Sequence, residues 1–306
     1  MHDPERLLVV TLSNIGDLVL TTPVFEALAR HYPGVPIDIF ADTRSAALLA
    51  AAPYAGETFL YDKRSGWPAR FAFLRALRQR RYRVVVDLRG PLVGRLLRAD
   101  RYLCKPRQRR LDQHAVDEHF AALAPLLADS TPPPCRLYLS SADIDAARQL
   151  LSALPGERWL AVAPGANWPG KKWSREGYRE LLQRAAPCFD GAIILGAPQD
   201  VADARAIASH DLPSLNTAGS TDLRTAAALL ARAAAFVGND SGLGHIAAAL
   251  GTPTLTLFGP GNPQRYRPRG ARARIVLAPH NDLALLTAEH VWSALQSLLA
   301  LTPGSL

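Results

Sequence analysis

Short apolar runs separated by amphipathic stretches recur along almost the whole chain. In the first half they fall at residues 6–12 (RLLVVTL), 36–41, 57–61 and 82–88; in the second half at 159–163, 191–195, 215–217, 234–237 and 254–258. Each is short, and the first is β-branched enough for a strand buried on both faces of a parallel sheet. Between them, helical periodicity predicts helices at about 18–31, 45–51, 116–127, 142–154, 178–186, 201–208, 223–232, 243–250 and 287–299, with Phe71, Leu74, Leu77 and Arg78 at helical spacing in 63–81. Residues 92–97 read as a small helix and the stretch from there to Arg110 as a basic loop. Alternation at this rhythm predicts a doubly wound α/β arrangement. One stretch breaks it: DSTPPPCRLYLS at 129–140 carries three consecutive prolines, which fit neither a helix interior nor a central strand, and so reads as a stiff extended linker. Two α/β domains follow, 1–139 and 140–306, with a cleft expected between facing sheet edges and a last helix able to pack across either half.

Composition narrows this little. A length of 306 residues with 48% apolar and 20% charged residues suits two soluble globular domains. No apolar run reaches the roughly 18–20 residues of a membrane span, and MHDPERLLVV runs straight into a strand without a signal-peptide pattern, so a cytoplasmic protein is expected. Cys104, Cys135 and Cys188 are widely spaced, which suggests neither a disulfide framework nor a zinc site, and no cofactor is implied.

Charge changes the picture more. The net charge is +8, yet residues 63–110 hold sixteen Lys and Arg against only Asp87 and Asp100, so this segment is +14 and the remainder −6. Such a patch either is a solvated helix face or meets something anionic. Nucleic acid is not expected, because no binding motif accompanies the charge and few aromatics are interleaved with it.

The candidate chemistry lies where strands end. In SNIGDLVLTTP (13–23), Gly16 permits a tight turn before a helix and Asp17 sits at the strand's carboxyl end, as a helix cap or as a catalytic base. In APGANWPGKKWSREG, Pro164 and its neighbouring glycines and proline prescribe a loop that aims Lys171 or Lys172 just ahead of a helix capped by Ser174, with Trp173 as an apolar anchor. The GAPQD loop offers Gln199 and Asp200 to a ribose or base. The richest stretch is FVGNDSGLGHIAAALGTPTLTLFGP (236–260), a strand, a polar turn, a small-residue helix and a second strand. Asp240 or Ser241 there either caps the helix or, with its N-terminus, receives an anion. His245 lies on the first turn of that otherwise small and apolar helix.

Taken together, SNIGDLVLTTP, the DLRG at Asp87, PGANWPGKKW, LGAPQD and GNDSGLGHIAAALGTPTLTLFGP resemble glycosyltransferase family 9, the ADP-heptose:lipopolysaccharide heptosyltransferases, over almost the entire chain. The resemblance implies a GT-B architecture of two Rossmann-like domains around a deep cleft, the nucleotide sugar held by the C-terminal half and the acceptor by the N-terminal half, and an inverting, metal-independent transfer. It makes Asp17 the general base, with Ser13 and Gly16 shaping the loop near the transferred sugar. Lys171, matching the family's K-x-W pattern, would neutralise the diphosphate, with Lys172 the alternative one register away. Asp240 would bind sugar hydroxyls, and Ser241, Gly242 and His245 would line the diphosphate. Pro164, Gln199 and Asp200 complete the expected donor site, and Lys63, Arg64 and Arg89 the acceptor side. The implied partners are ADP-heptose or a related nucleotide sugar and an anionic lipid-linked glycan, with peripheral contact at the inner-membrane cytoplasmic leaflet. Two rivals stand beside this reading: transfer of another activated sugar or to another acceptor, and a non-catalytic nucleotide-sugar-binding or scaffold protein.

Overall fold

The computed structural model describes residues 6–61, 75–90, 97–106, 112–127, 130–208 and 211–300. They form two compact units, Met1–Tyr138 and Leu139–Leu306. The expected α/β class with two parallel sheets is the one found.

The first unit is built on a five-stranded parallel sheet ordered β3-β2-β1-β4-β5, from β1 (Leu7–Val10), β2 (Ile37–Asp42), β3 (Ala55–Tyr61), β4 (Arg81–Asp87) and β5 (Arg98–Cys104). Central β1 is buried at every position, as its unbroken apolar run requires. Leu8, Val10, Phe40, Phe59, Leu77, Tyr82 and Val85 form a core cluster on this sheet. The sequence reading misses β5 and takes it for loop. RADRYLC is an edge strand whose only buried residue is Leu103, so it carries no apolar run, although it pairs with β4 from Arg81↔Arg98 to Asp87↔Cys104.

Helix α1 (Ile15–His31) follows β1 and begins three residues earlier than its apolar pattern suggests; Gly16 lies inside its first turn instead of making a turn before it. Pro23 interrupts α1 and has no N–H for the carbonyl of Val19, which accepts instead from Thr22 Oγ1 at 2.7 Å. The same hydroxyl accepts from the backbone N–H of Arg136 at 3.2 Å, and Tyr138 donates to Glu26 at 3.0 Å. The proline-rich linker therefore ends against α1, with Cys135 and Leu137 buried.

Helix α2 (Ala115–Phe120) is shorter than predicted and passes into a 3-10 turn at Ala121–Leu123, and the predicted helix at 45–51 is likewise a 3-10 turn, Ala46–Leu49. The predicted helix at 92–97 falls almost entirely outside the described residues.

The basic segment is also less free than its local count implies. Arg80 pairs with Asp38 at 3.0 Å and with Glu57, Arg81 with Asp100 at 2.8 Å and Lys105 with Glu118 at 3.3 Å. Asp38, Glu57 and Glu118 lie outside 63–110 in sequence, so counting acids within the segment overstates the charge left for an external partner. Lys63 and Arg64 lie outside the described residues.

The second unit carries a six-stranded parallel sheet ordered β11-β10-β9-β6-β7-β8: β6 (Trp159–Ala163), β7 (Gly191–Ile194), β8 (Ser214–Asn216), β9 (Ala235–Asn239), β10 (Thr254–Phe258) and β11 (Ala273–Leu277). Edge strand β11 was also unanticipated, having only Val276 buried. The helices are α3 (Ser141–Leu151), α4 (Arg175–Ala185), α5 (Val201–Ile207), α6 (Leu223–Arg232), α7 (Gly242–Ala249), α8 (Pro263–Tyr266) and α9 (Ala288–Ala300). The last, α9, lies against α4, and its Val291, Trp292, Leu295, Leu298 and Leu299 join the core of this unit. No helix among the described residues is long and apolar enough to cross a membrane.

In both sheets the strand order reverses next to the first strand of the unit. The first unit turns back between β1 and β4, the second between β6 and β9. In open parallel sheets the loops at the carboxyl ends of such a pair part in opposite directions and leave a crevice, the usual place for a ligand.

Candidate active site

At the first reversal the β1–α1 loop meets the loop after β4. Asp87 ends β4 fully buried and organises the DLRG turn, its carboxylate accepting from the backbone N–H of Arg89 at 2.9 Å and of Gly90 at 3.0 Å. Arg89 then reaches across the reversal. Its Nε donates to the carbonyl of Thr11 at 2.7 Å, its Nη2 donates to Ser13 Oγ at 3.0 Å, and its guanidinium lies over the Phe40 ring at 5.0 Å. A guanidinium is suited to such bracing because its donors are fixed in one plane.

Asp17 stands in the first turn of α1, half-buried. It is not the cap. Asn14 occupies that position, its side chain makes no cap bond, and its amide donates instead to Asp17 Oδ2 at 2.9 Å. A carboxylate at a helix N-terminus is stabilised by the helix dipole. Here it meets a neutral amide donor, so it retains acceptor capacity on both oxygens. At the end of β2, the Arg44 side chain donates to Asp42 at 3.0 Å and holds that carboxyl below the usual carboxylate range.

At the second reversal the loop after β6 meets the turn after β9. Lys171 Nζ lies 2.5 Å from Asp240 Oδ2, across 69 residues of sequence. Lys172, the next residue, points elsewhere: its Nζ is 2.7 Å from Asp203 and 3.5 Å from Asp200. Hydrogen bonding to Asp203 raises the Lys172 pKa and, reciprocally, Lys172 lowers that of Asp203. The ambiguity between the two lysines in the sequence is thus one of geometry: Lys171 closes the 3-10 turn Pro169–Lys171, and Lys172, the extended residue after it, is aimed at a different carboxylate.

Asp200 is buried. One of its oxygens accepts from the N–H of Ala197 at 3.1 Å, and it packs so closely on Gly165 that a Cβ there would fall 2.2 Å from its carboxylate. This glycine is a requirement of space. Gln199 is exposed beside it on the same short turn, Pro198–Asp200.

Ser241 occupies the N-cap position of α7 but makes no cap bond, and its Oγ is buried without a hydrogen-bond partner. The capping reading of Ser241 therefore falls. A buried hydroxyl left so is costly unless something else supplies its bond. Gly242 opens the helix behind it, and His245 sits buried one turn further along. Capping does occur where Ser174 was expected to do it, its Oγ accepting from Gly177 N–H at 3.0 Å ahead of α4.

The residue that sequence reasoning passed over is Asn239. Fully buried at the end of β9, it donates from Nδ2 to the carbonyl of Pro164 at 2.8 Å and to that of Gly165 at 3.4 Å, while its Oδ1 accepts from the backbone N–H of Trp173 at 3.0 Å. One amide thus ties β9 to both ends of the Lys171 loop. Trp173 completes the fixing, as its indole N–H donates to the carbonyl of Leu286 at 2.8 Å and its ring meets Tyr178 edge-on. The available signal was an asparagine closing an otherwise wholly apolar strand. Among the described residues no group of three His, Cys, Asp or Glu side chains lies close enough to hold a metal ion.

Comparison with known proteins adds a family. The profile of glycosyltransferase family 9 (heptosyltransferase) matches residues 95–291. Lipopolysaccharide heptosyltransferase 1 of Pseudomonas aeruginosa is 29% identical over 295 residues, covering 84% of this chain and 79% of its own. Lipopolysaccharide heptosyltransferase 2 of Escherichia coli is 26% identical over 335 residues, covering 97% and 95%. Among solved structures, the ADP-heptose heptosyltransferase II of Escherichia coli superposes with a TM-score of 0.82 at 23% identity, over 97% of this chain and 99% of that one.

Proposed function

Because the chain belongs to glycosyltransferase family 9, we propose that it is an inverting, metal-independent heptosyltransferase that moves the sugar of ADP-heptose to a hydroxyl of the lipopolysaccharide inner core. The observation that carries the reading is the Lys171–Asp240 pair at the second strand reversal, next to the unbonded Ser241 hydroxyl at the start of α7. These are the groups a sugar diphosphate needs. The Lys171 ammonium and the N-terminus of α7 face the diphosphate, Ser241 donates to one of its oxygens, and Asp240 accepts from hydroxyls of the sugar. Gly242 lets the diphosphate approach the backbone, and His245 packs behind it. Pro164, Lys172 and Asp200 hold the loop, with Gln199 exposed to the nucleoside.

In the reaction the acceptor oxygen attacks the anomeric carbon and Asp17 takes its proton. The bond from that carbon to the diphosphate oxygen breaks, the configuration inverts, and ADP leaves. Lys171 meets the charge that develops on the leaving oxygen, the work a divalent cation does in other transferases. Asp240 pairs with Lys171; donor binding exchanges that contact for one with phosphate while the sugar hydroxyls satisfy Asp240. Arg89 is read differently from its expected acceptor contact: bonded to Thr11 and Ser13, it braces the loop before Asp17. The exposed Arg75, Arg78 and Arg98, with Lys63 and Arg64, supply the charge for an acidic acceptor and for peripheral contact with the cytoplasmic leaflet.

The test is a mass-spectrometric screen of purified protein with ADP-, UDP- and GDP-sugars and a heptose-free inner-core lipid, with and without EDTA. The expected result is ADP release with a heptosylated lipid of inverted anomeric configuration, unaffected by chelation. Turnover only with a UDP- or GDP-sugar would refute the donor assignment, and loss of activity on chelation would refute metal independence.

A further inference from the structure

Two tryptophans bracket the lysines of the loop after β6, and they are used in opposite ways. Trp173 is 3% exposed with its indole N–H bonded, as an anchor should be. Trp168 is 46% exposed. A lone exposed apolar side chain is ordinary; the manner in which this one is held is not.

A Cβ built on Gly170 would fall 1.8 Å from Cζ3 of the Trp168 ring, 2.3 Å from Cη2 and 2.7 Å from Cε3. The six-membered ring therefore lies against the bare Cα of Gly170. No positive φ is present at Gly170, so glycine is needed there for space and not for backbone conformation. The mount is rigid as well. Trp168 is the extended residue that precedes the 3-10 turn Pro169–Lys171, and its carbonyl accepts the N–H of Lys171 at 3.1 Å. Indole and ammonium thus leave opposite ends of one short turn. The foot of that turn is fixed by Asn239 through the N–H of Trp173 and the carbonyls of Pro164 and Gly165.

An aromatic ring seated on glycine, with part of its surface in solvent and Lys171, the partner of Asp240, three residues along the same turn, suits a particular kind of ligand. The ring surface carries partial negative charge and attracts weakly positive C–H groups. A sugar ring presents such C–H groups on one face and hydroxyls at its rim. We propose that Trp168 is a stacking platform for the sugar ring of the nucleotide-activated donor, placing it so that its hydroxyls reach Asp240 and its diphosphate reaches Lys171. This rests on the donor site proposed above and adds an apolar subsite to it. The platform recognises the sugar and leaves the nucleotide alone, a division that binding measurements can separate.

The experiment measures dissociation constants of ADP and of ADP-heptose by titration calorimetry, without acceptor, for the wild-type chain and for Trp168→Ala, Trp168→Phe and Gly170→Ala, with melting temperatures as a check on folding. Trp168→Ala is expected to weaken ADP-heptose about three- to tenfold and to leave ADP within about twofold. Trp168→Phe should retain most of the sugar-dependent affinity, and Gly170→Ala, which pushes the ring off its seat, should resemble Trp168→Ala. The proposal is overturned if Trp168→Ala weakens both ligands equally or neither. Failure of the wild-type chain to bind ADP-heptose more tightly than ADP would overturn the sugar site itself, a result distinct from tight binding that ignores Trp168.

Discussion

The two strand reversals solve the same topological problem with different chemistry. At the first, between β1 and β4, the carboxylate of Asp17 is met by a neutral amide, and the cation that crosses the gap, Arg89, is spent on Thr11 and Ser13. At the second, between β6 and β9, a lysine and an aspartate from distant segments already face each other. A base must be able to accept a proton, and an ion-paired carboxylate is a poor base. A group that meets a leaving diphosphate must be cationic beforehand and fixed in place, so that no reorganisation is needed as charge develops. The contrast suits the two roles in the proposed function: a carboxylate free to accept a proton at the first edge, and a preset cation for a leaving group at the second.

The sharpest way to break this contrast is at Asp17. Asp17→Asn preserves shape and hydrogen bonding to Asn14 but removes basicity, and kcat is expected to fall about a thousandfold while the ADP-heptose dissociation constant stays within about twofold. Turnover close to that of the wild type would strip the first edge of its role. At the second edge the two lysines separate ion pairing at the site from ion pairing beside it. Lys171→Ala should lower kcat/KM by about a hundredfold and Lys172→Ala by no more than about threefold; a reversed order, read from steady-state kinetics, would put the phosphate contact one register along.

Asn239→Ala tests whether the second edge is preassembled. It leaves the carbonyl of Pro164 and the N–H of Trp173 buried without their partner and should cost about 2 kcal/mol of stability, measured by urea denaturation. A loss indistinguishable from zero would mean that the Lys171 loop is held by other contacts. The smallest effect is expected from the pair outside the site. The hydrogen bond from Lys172 lowers the pKa of Asp203, so its stabilisation is present above the unfolded carboxylate value near 4 and is lost as pH falls through the lower folded value. Lys172→Met should therefore lower stability by about 0.5 kcal/mol at pH 7, and the difference from the wild type should shrink as pH falls below 4. A difference independent of pH would assign the effect to packing.

Much of this was legible in the residues. Every strand buried on both faces announced itself as an apolar run, and the loops that follow β1, β6 and β9 announced themselves by their glycine, proline and polar residues. Edge strands β5 and β11 did not, because each buries a single residue and its sequence looks like loop. Charges were legible as counts and not as pairs: the partners of Arg80 and Lys105 come from other strands and helices, and Asp203 lies 31 residues from Lys172. Asn239 stayed hidden for a related reason, since its bonds span 66 to 75 residues and nothing nearby signals them.

The proline at the centre of α1 has a consequence of a mechanical kind. By withholding one backbone N–H it turns the Thr22 hydroxyl inward to the carbonyl of Val19, and the lone pair left on that oxygen holds the amide of Arg136. A gap in the helix has become a mooring. The end of the linker is tied midway along the helix whose first turn bears Asp17. The Arg136 amide should then exchange its hydrogen with solvent in step with the amides of that helix.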